Sequence, residues 1–259
     1  MKTQQITFLG VLLLLLPFSF AQAQYDISEQ KMQFDKATIN AWVISVDNEP
    51  LNDLKKGFAR YAKDQLDVKA KKKGRDLMMA KEVSIPSIAN NQGDLKARFF
   101  TEGNQSKIAV AFQMGYDMAL STQDNRDEMN NLRRFIKNFV KSYKTEQLNE
   151  QIADNQKRKK TIEKNYEKNE REHKKLNKNL SKLERKISSD KTEEAKRFEA
   201  KNQKIADESR IMALDEIMAN QKQELIKTEQ LIQQSQSEIS HLETLFAEPV
   251  AEQGGVQFN

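Results

Sequence analysis

Between Gly115 and Pro249 the chain contains neither glycine nor proline, so nothing in that interval punctuates a helix. Two stretches within it place residues at alternating spacings of four and three. The first runs Leu148, Ile152, Asn155, Lys159, Ile162, Tyr166, Asn169, His173, Leu176, Leu180, Leu183, Ile187, and eight of these twelve are apolar. The second runs from Ile211 and Leu214 through Gln221 and Thr228 to Leu242 and Phe246, with eight of eleven apolar. A 3.5-residue period makes a narrow stripe that stays on one side only if the helix supercoils around a partner.

The partner predicted for the first run is the second. Ser188 to Glu193 is polar and contains a D-x-x-E pattern that would start a new helix at Asp190, so a turn is expected near 188–191. Folding there sets Asn155 beside Gln221 or Lys222, His173 beside Lys204 and Phe246 beside Leu132. Charge agrees: 14 Lys/Arg face 6 Asp/Glu from Lys157 to Lys191, against 7 and 12 from Thr192 to Glu248. Arms of opposite sign attract when antiparallel, whereas like arms side by side in a parallel dimer repel. The expectation is a helical hairpin with arms of about 55–65 residues, roughly 80–100 Å long. Phe198, Ile205 and Met212 lie on a different phase from Ile211 onward, which predicts an irregularity near Ser209–Met212. Asn155, His173 and Gln221 are polar residues at seam positions, where such residues ordinarily set register.

The preceding segment alternates at period two. Thr38–Val46 reads as a strand, followed by a helix from Pro50 with Leu51, Leu54, Phe58, Tyr61, Ala62 and Leu66 at helical spacing. A short strand near Asp67–Lys72 and a basic tip at Lys71–Arg75 come next. Three strands then follow, carrying Leu77, Met79, Val83 and Ile85 on one face, Leu95 to Thr101, and Ile108 to Met118. Ser121 or Thr122 is placed to cap a helix whose broad apolar face runs from Met129 to Tyr143. The order is β-α-β-β-β-β-α. The fold class is α+β: a small antiparallel sheet with helices on one face over 37–145, then the coiled-coil hairpin over 146–247. Residues 24–36 read as a linker and 248–259 as a disordered tail. Over about 36–145 this order of elements resembles the TATA-box-binding-protein-like domain of some secreted bacterial proteins. That resemblance implies a fold and carries no activity.

Met1-Lys2, the apolar run Ile6–Phe20 and Ala21-Gln22-Ala23 form a secretory signal, with cleavage expected after Ala23. Its apolar core is short for a membrane span. The chain has no cysteine, which excludes disulfides and thiolate metal sites and fits a bacterial periplasm or cell surface. Net charge is +5 and mean hydropathy is −0.80. The basic arm lacks interleaved aromatics, so a nucleic-acid partner is not expected.

Phosphate loops, nucleophile elbows and paired-histidine metal motifs are missing, and no cofactor or metal is expected. Among possible interaction surfaces, Lys69, Lys71, Lys73 and Arg75 line one side of a hairpin and would touch acidic lipid or polysaccharide. A solvated edge is the ordinary meaning of such a row. Lys186 and Lys191 mark the tip of the long hairpin. Trp42 is out of phase with Ile39, Ala41 and Val43, so it packs under a helix or marks an exposed sheet face. Met78, Met79, Met114 and Met118 read as core filler. These features point to an exported, non-enzymatic envelope protein whose hairpin is a spacer or docking arm for an envelope partner. A ligand- or peptide-binding α+β module with the hairpin as scaffold and a homo-oligomer built through the coiled coil are the rivals.

Overall fold

The structure is a computed structural model that describes residues 25–35, 37–47, 49–115 and 118–247. The expected signal sequence and tail lie outside them. The elements are β1 (Ile27–Phe34), β2 (Ala37–Asp47), α1 (Leu51–Leu66), β3 (Lys71–Lys72), β4 (Leu77–Ile85), β5 (Ala89–Glu102), β6 (Gln105–Met114), α2 (Arg126–Ser188) and α3 (Glu194–Leu245). All strand pairs are antiparallel, in the order β1-β2-β6-β5-β4-β3. The protein is therefore α+β, a six-stranded sheet with helices followed by a long helical hairpin.

One sheet face carries Trp42, Ile44, Val46, Leu95, Ala97, Phe99, Ile108, Val110 and Phe112, and these pack with the apolar sides of α1 and α2. Phe58 of α1 stands at the centre, with its ring 5.4 Å from Phe139, 5.7 Å from Phe99 and 6.0 Å from Phe135, each close to edge-on. Edge-to-face pairs add about 0.5–1.5 kcal/mol each beyond the area they bury. Trp42 lies under α2, and its indole Nε1 donates to the Met129 carbonyl at 2.8 Å while Arg133 covers the ring. The two helices pass closely because residue 57 is glycine: a Cβ there would stand 2.5 Å from the Tyr143 ring.

The opposite face is closed by the sheet itself. Ala41, Val43, Ala109 and Ala111 form a small-residue floor over which Phe34 from one edge meets Leu77 and Met79 from near the other. Arg98 Nη1 donates to the Gln33 carbonyl at 3.0 Å, and Lys73 pairs with Asp35, so side chains join the two ends of the curled sheet.

The structure departs from the sequence expectations at four places. Residues 27–34 are a strand rather than linker: Ile27 joins the helix-side core while Met32 and Phe34 join the other cluster, so no single face shows in the sequence. Leu77 and Met79 do not share a face with Val83 and Ile85, because the register shifts between Ala80 and Val83, where Glu82 takes φ 52°. The same alternation puts Met78 and Met79 into the cores on opposite sides, with Met114 packed against the first, so these three are core filler and Met118 alone of the four is exposed. Strand β5 begins at Ala89 inside the expected turn, and Gly93 belongs to it: a Cβ there would meet the Gln113 carbonyl oxygen at 2.5 Å. Strand β6 ends at Met114, after which the chain returns so that Ala119 bridges Gln113.

Helix α2 is continuous for 63 residues, about 95 Å at 1.5 Å per residue. Its first part is core, and Leu148, Leu242 and Phe246 from the base of the hairpin belong to the same core cluster. The packing therefore crosses the expected domain boundary at 145. Lys144, Tyr143 and Gln147 all reach Glu49, at 2.5, 3.1 and 2.8 Å, and fasten the foot of the hairpin to the entry of α1. Burial, and then the Glu49 carboxylate, push the Tyr143 phenol well above its ordinary range.

Candidate docking surface on the helical hairpin

The turn of the hairpin spans Ser189–Glu193, and α3 starts at Glu194 without a side-chain cap. Asp190 does not begin the helix. Arg197 Nη2 instead donates to the Ser189 carbonyl at 3.0 Å, placing a cation at the negative C-terminal end of α2. The turn closes later than expected, and α3 lies about three to four helical turns from the expected pairing. Gln221 meets Asn169, at 3.1 Å, rather than Asn155, and His173 meets Asp215 at 3.2 Å rather than Lys204. Phe246 packs into the domain core and stacks 5.2 Å from Tyr25.

Along this register the seam is mostly apolar but interrupted by polar layers. Ile162, Leu183, Leu214 and Ile232 are buried, but between them come Asn169 with Gln221, His173 with Asp215, and Asn179 with Asp207. Asp207 is 5% exposed and accepts hydrogen bonds from Asn179 at 2.6 Å and Gln203 at 2.7 Å. The sequence reading missed it because the apolar residues beside it suggested another phase. Ion pairs cross the edges of the seam: Lys159 reaches Glu229 at 2.5 Å, Arg158 reaches Glu224 at 2.5 Å, and Arg210 pairs with Glu172. The hydrogen bond that Lys159 donates to Glu229 raises the Lys159 pKa, and the one Lys204 donates to Glu184 does the same for Lys204.

No phase break occurs near Ser209–Met212. Ala200, Asp207, Leu214, Gln221, Thr228, Ser235 and Leu242 succeed one another at seven-residue spacing, with Gln221 half-buried and the others buried. The consequence lies outside the seam. Phe198, Ile205, Met212 and Ile226 fall on one outward line of α3 and are 66%, 62%, 73% and 61% exposed. With Ala219 they form an apolar stripe over 28 residues, about 42 Å of helix. Isolated exposed apolar residues are ordinary, whereas a row at constant heptad spacing is a surface that another helix can match.

The remaining expected residues are dispersed. Lys69, Lys71, Lys73 and Arg75 are exposed around β3, at the sheet edge; Lys73 is committed to Asp35, and the Arg75 carbonyl accepts from Lys55. Lys186 and Lys191 are exposed at the far end of the hairpin. Asn155 is half-buried within α2, below the Lys159–Glu229 pair. Where α1 passes α2 there is a cleft of about 170 Å³ lined by Gly57, Arg60, Tyr61, Tyr143 and Glu146, below the size of ordinary ligand pockets. A wider groove of about 870 Å³ beside it is open and lined mainly by polar side chains, among them Lys141, Glu150 and Glu243. Among the described residues no helix is long and apolar enough to cross a membrane. Comparison with known proteins finds no family model, no curated protein and no solved structure that matches the chain.

Proposed function

We propose that this is an exported, non-enzymatic envelope protein in which the sheet domain is a base and the hairpin a spacer or docking arm for a protein partner. The observation that carries this is the division of the long helices. The first turns of α2 and the last turns of α3 are fixed in the core, while the stretch beyond Leu148 projects with a seam interrupted by polar pairs and an apolar outer stripe. A helix serving only to cover the sheet would end where the sheet ends. The apparent secretory signal supplies the compartment in this proposal, and the resemblance to TATA-box-binding-protein-like domains adds a fold for the base without an activity.

The test is crosslinking in cells, with photoreactive residues replacing Lys186 and Lys191 in turn. The proposal expects a discrete envelope protein captured at the tip and lost when the tip sequence is replaced. Crosslinks confined to copies of the chain would favour the homo-oligomer. Absence of any crosslink at the tip would remove the docking role from that end of the arm.

A further inference from the structure

We infer that the Phe198–Ile226 stripe is the seat of a basic amphipathic helix from the partner, which lies along the hairpin and completes a three-helix coiled coil. The inference rests on the docking-arm proposal and names the chemistry of the partner.

The stripe occupies one line of α3, and the seam occupies another, so both can be filled together. The residues flanking the stripe on α3 are Glu194, Lys201, Glu208, Asp215, Glu216, Lys222 and Glu229 among neutral side chains: five carboxylates against two lysines. Arg158–Glu224 and Glu172–Arg210 bridge the opposite edge of the seam. On the stripe's side α2 adds Glu163, Glu170 and Glu184 by heptad position; Glu170 pairs with Lys174 and Glu184 with Lys204, as Glu229 and Asp215 of α3 pair with Lys159 and His173. Counting those cations, eight carboxylates stand against five lysines, so a chain that is basic overall presents its exposed apolar line inside a border of net negative charge.

The same border selects against other occupants. A second α3 laid antiparallel and centred on Met212 would set Glu208 against Glu216 on both sides, and a parallel copy would set each charge against itself. The projecting part of α2 offers no matching apolar line, since its apolar residues Ile162, Tyr166, Leu176, Leu180, Leu183 and Ile187 are seam residues that are buried or half-buried. An anionic bilayer meets an acidic border with repulsion. A helix with an apolar heptad ridge flanked by lysine or arginine satisfies both the stripe and its border.

The experiment uses the purified full chain and two synthetic helical peptides of about 28 residues, matched to the stripe at 1.5 Å per residue. They share one leucine ridge, flanked in one by lysine and in the other by glutamate. Binding is followed by fluorescence anisotropy at low and high salt. The lysine peptide is expected to bind and to weaken with salt. It should lose at least tenfold in affinity against Ile205→Gln/Met212→Gln, a variant that keeps charge and helix propensity at exposed positions and should leave the circular dichroism spectrum unchanged. The glutamate peptide should not bind. Equal binding of both peptides, or no loss in the variant, overturns the inference. So does concentration-dependent dimerisation or binding to phosphatidylglycerol vesicles that the variant abolishes, since the stripe would then belong to a second copy or to lipid. A partner crosslinked at Lys186 or Lys191, with no peptide seated on the stripe, would sink this inference while leaving the docking arm in place.

Discussion

The two ends of α2 obey different rules. From Met129 to Leu148 the helix buries Leu132, Phe135, Ile136, Phe139 and Val140 against a sheet and a second helix. From Ile162 to Leu183 only the apolar side chains at the two ends are fully buried; Tyr166, Leu176 and Leu180 between them are half-buried and alternate with layers of amides, an imidazole and carboxylates. The first kind of contact gains from every methylene removed from water. The second recovers little beyond the desolvation it costs, but it accepts only one register. Stability in this molecule is concentrated at the base, and specificity of alignment in the arm.

The largest blow to this contrast falls at Phe58. Phe58→Ala should cost about 3–5 kcal/mol, because three aromatic rings close around one site that cannot collapse. Urea titration should show the loss in the sheet domain, and a cost under 1 kcal/mol would mean that the core is loosely packed. Next comes Glu49→Ala, which takes the Glu49 carboxylate away from Lys144 where both side chains are nearly out of water. About 2–3 kcal/mol is expected, less than for a fully buried pair, and Lys144→Met in the same chain should recover part of it.

The arm responds in the other direction. Asn169→Leu with Gln221→Leu should raise its stability by about 1–2 kcal/mol while broadening the distribution of alignments between α2 and α3. Spin-label distances across the hairpin would report that broadening, and a destabilised double variant would contradict the polar-seam account. The smallest effect is alkaline. The Tyr143 phenol titrates above its unfolded value near 10, so its contribution is complete below about pH 10 and is lost as pH rises from there toward the folded value. Tyr143→Phe should flatten the thermal stability curve above pH 10, and an unchanged slope would assign the alkaline loss elsewhere.

Much of the base was legible because its residues obey simple periods: Ile108 to Phe112 on a strand, Met129 to Tyr143 on a helix. Strand β1 was hidden because its apolar residues serve both faces of a curled sheet, and the phase of β4 because the register shift near Glu82 inverts the alternation midway. The hairpin itself was plain, but its register was not. Register depends on where the turn closes, and a capping pattern at Asp190 outweighed the contact between Arg197 and the Ser189 carbonyl, which only the folded chain displays. The outer stripe was visible as residues and misplaced on the helix. Phe198, Ile205 and Met212 were read as seam because apolar heptads ordinarily are, whereas the seam takes Ala200, Asp207 and Leu214.

Native-state hydrogen exchange along α2, read by mass spectrometry, bears most directly on the contrast between anchored base and polar arm. Amides from 132 to 147 should exchange only through global unfolding, together with β2 and β6, while those from 160 to 187 should open at a distinctly lower free energy. Uniform protection from 132 to 187 would contradict the account, because it would make base and arm a single cooperative unit.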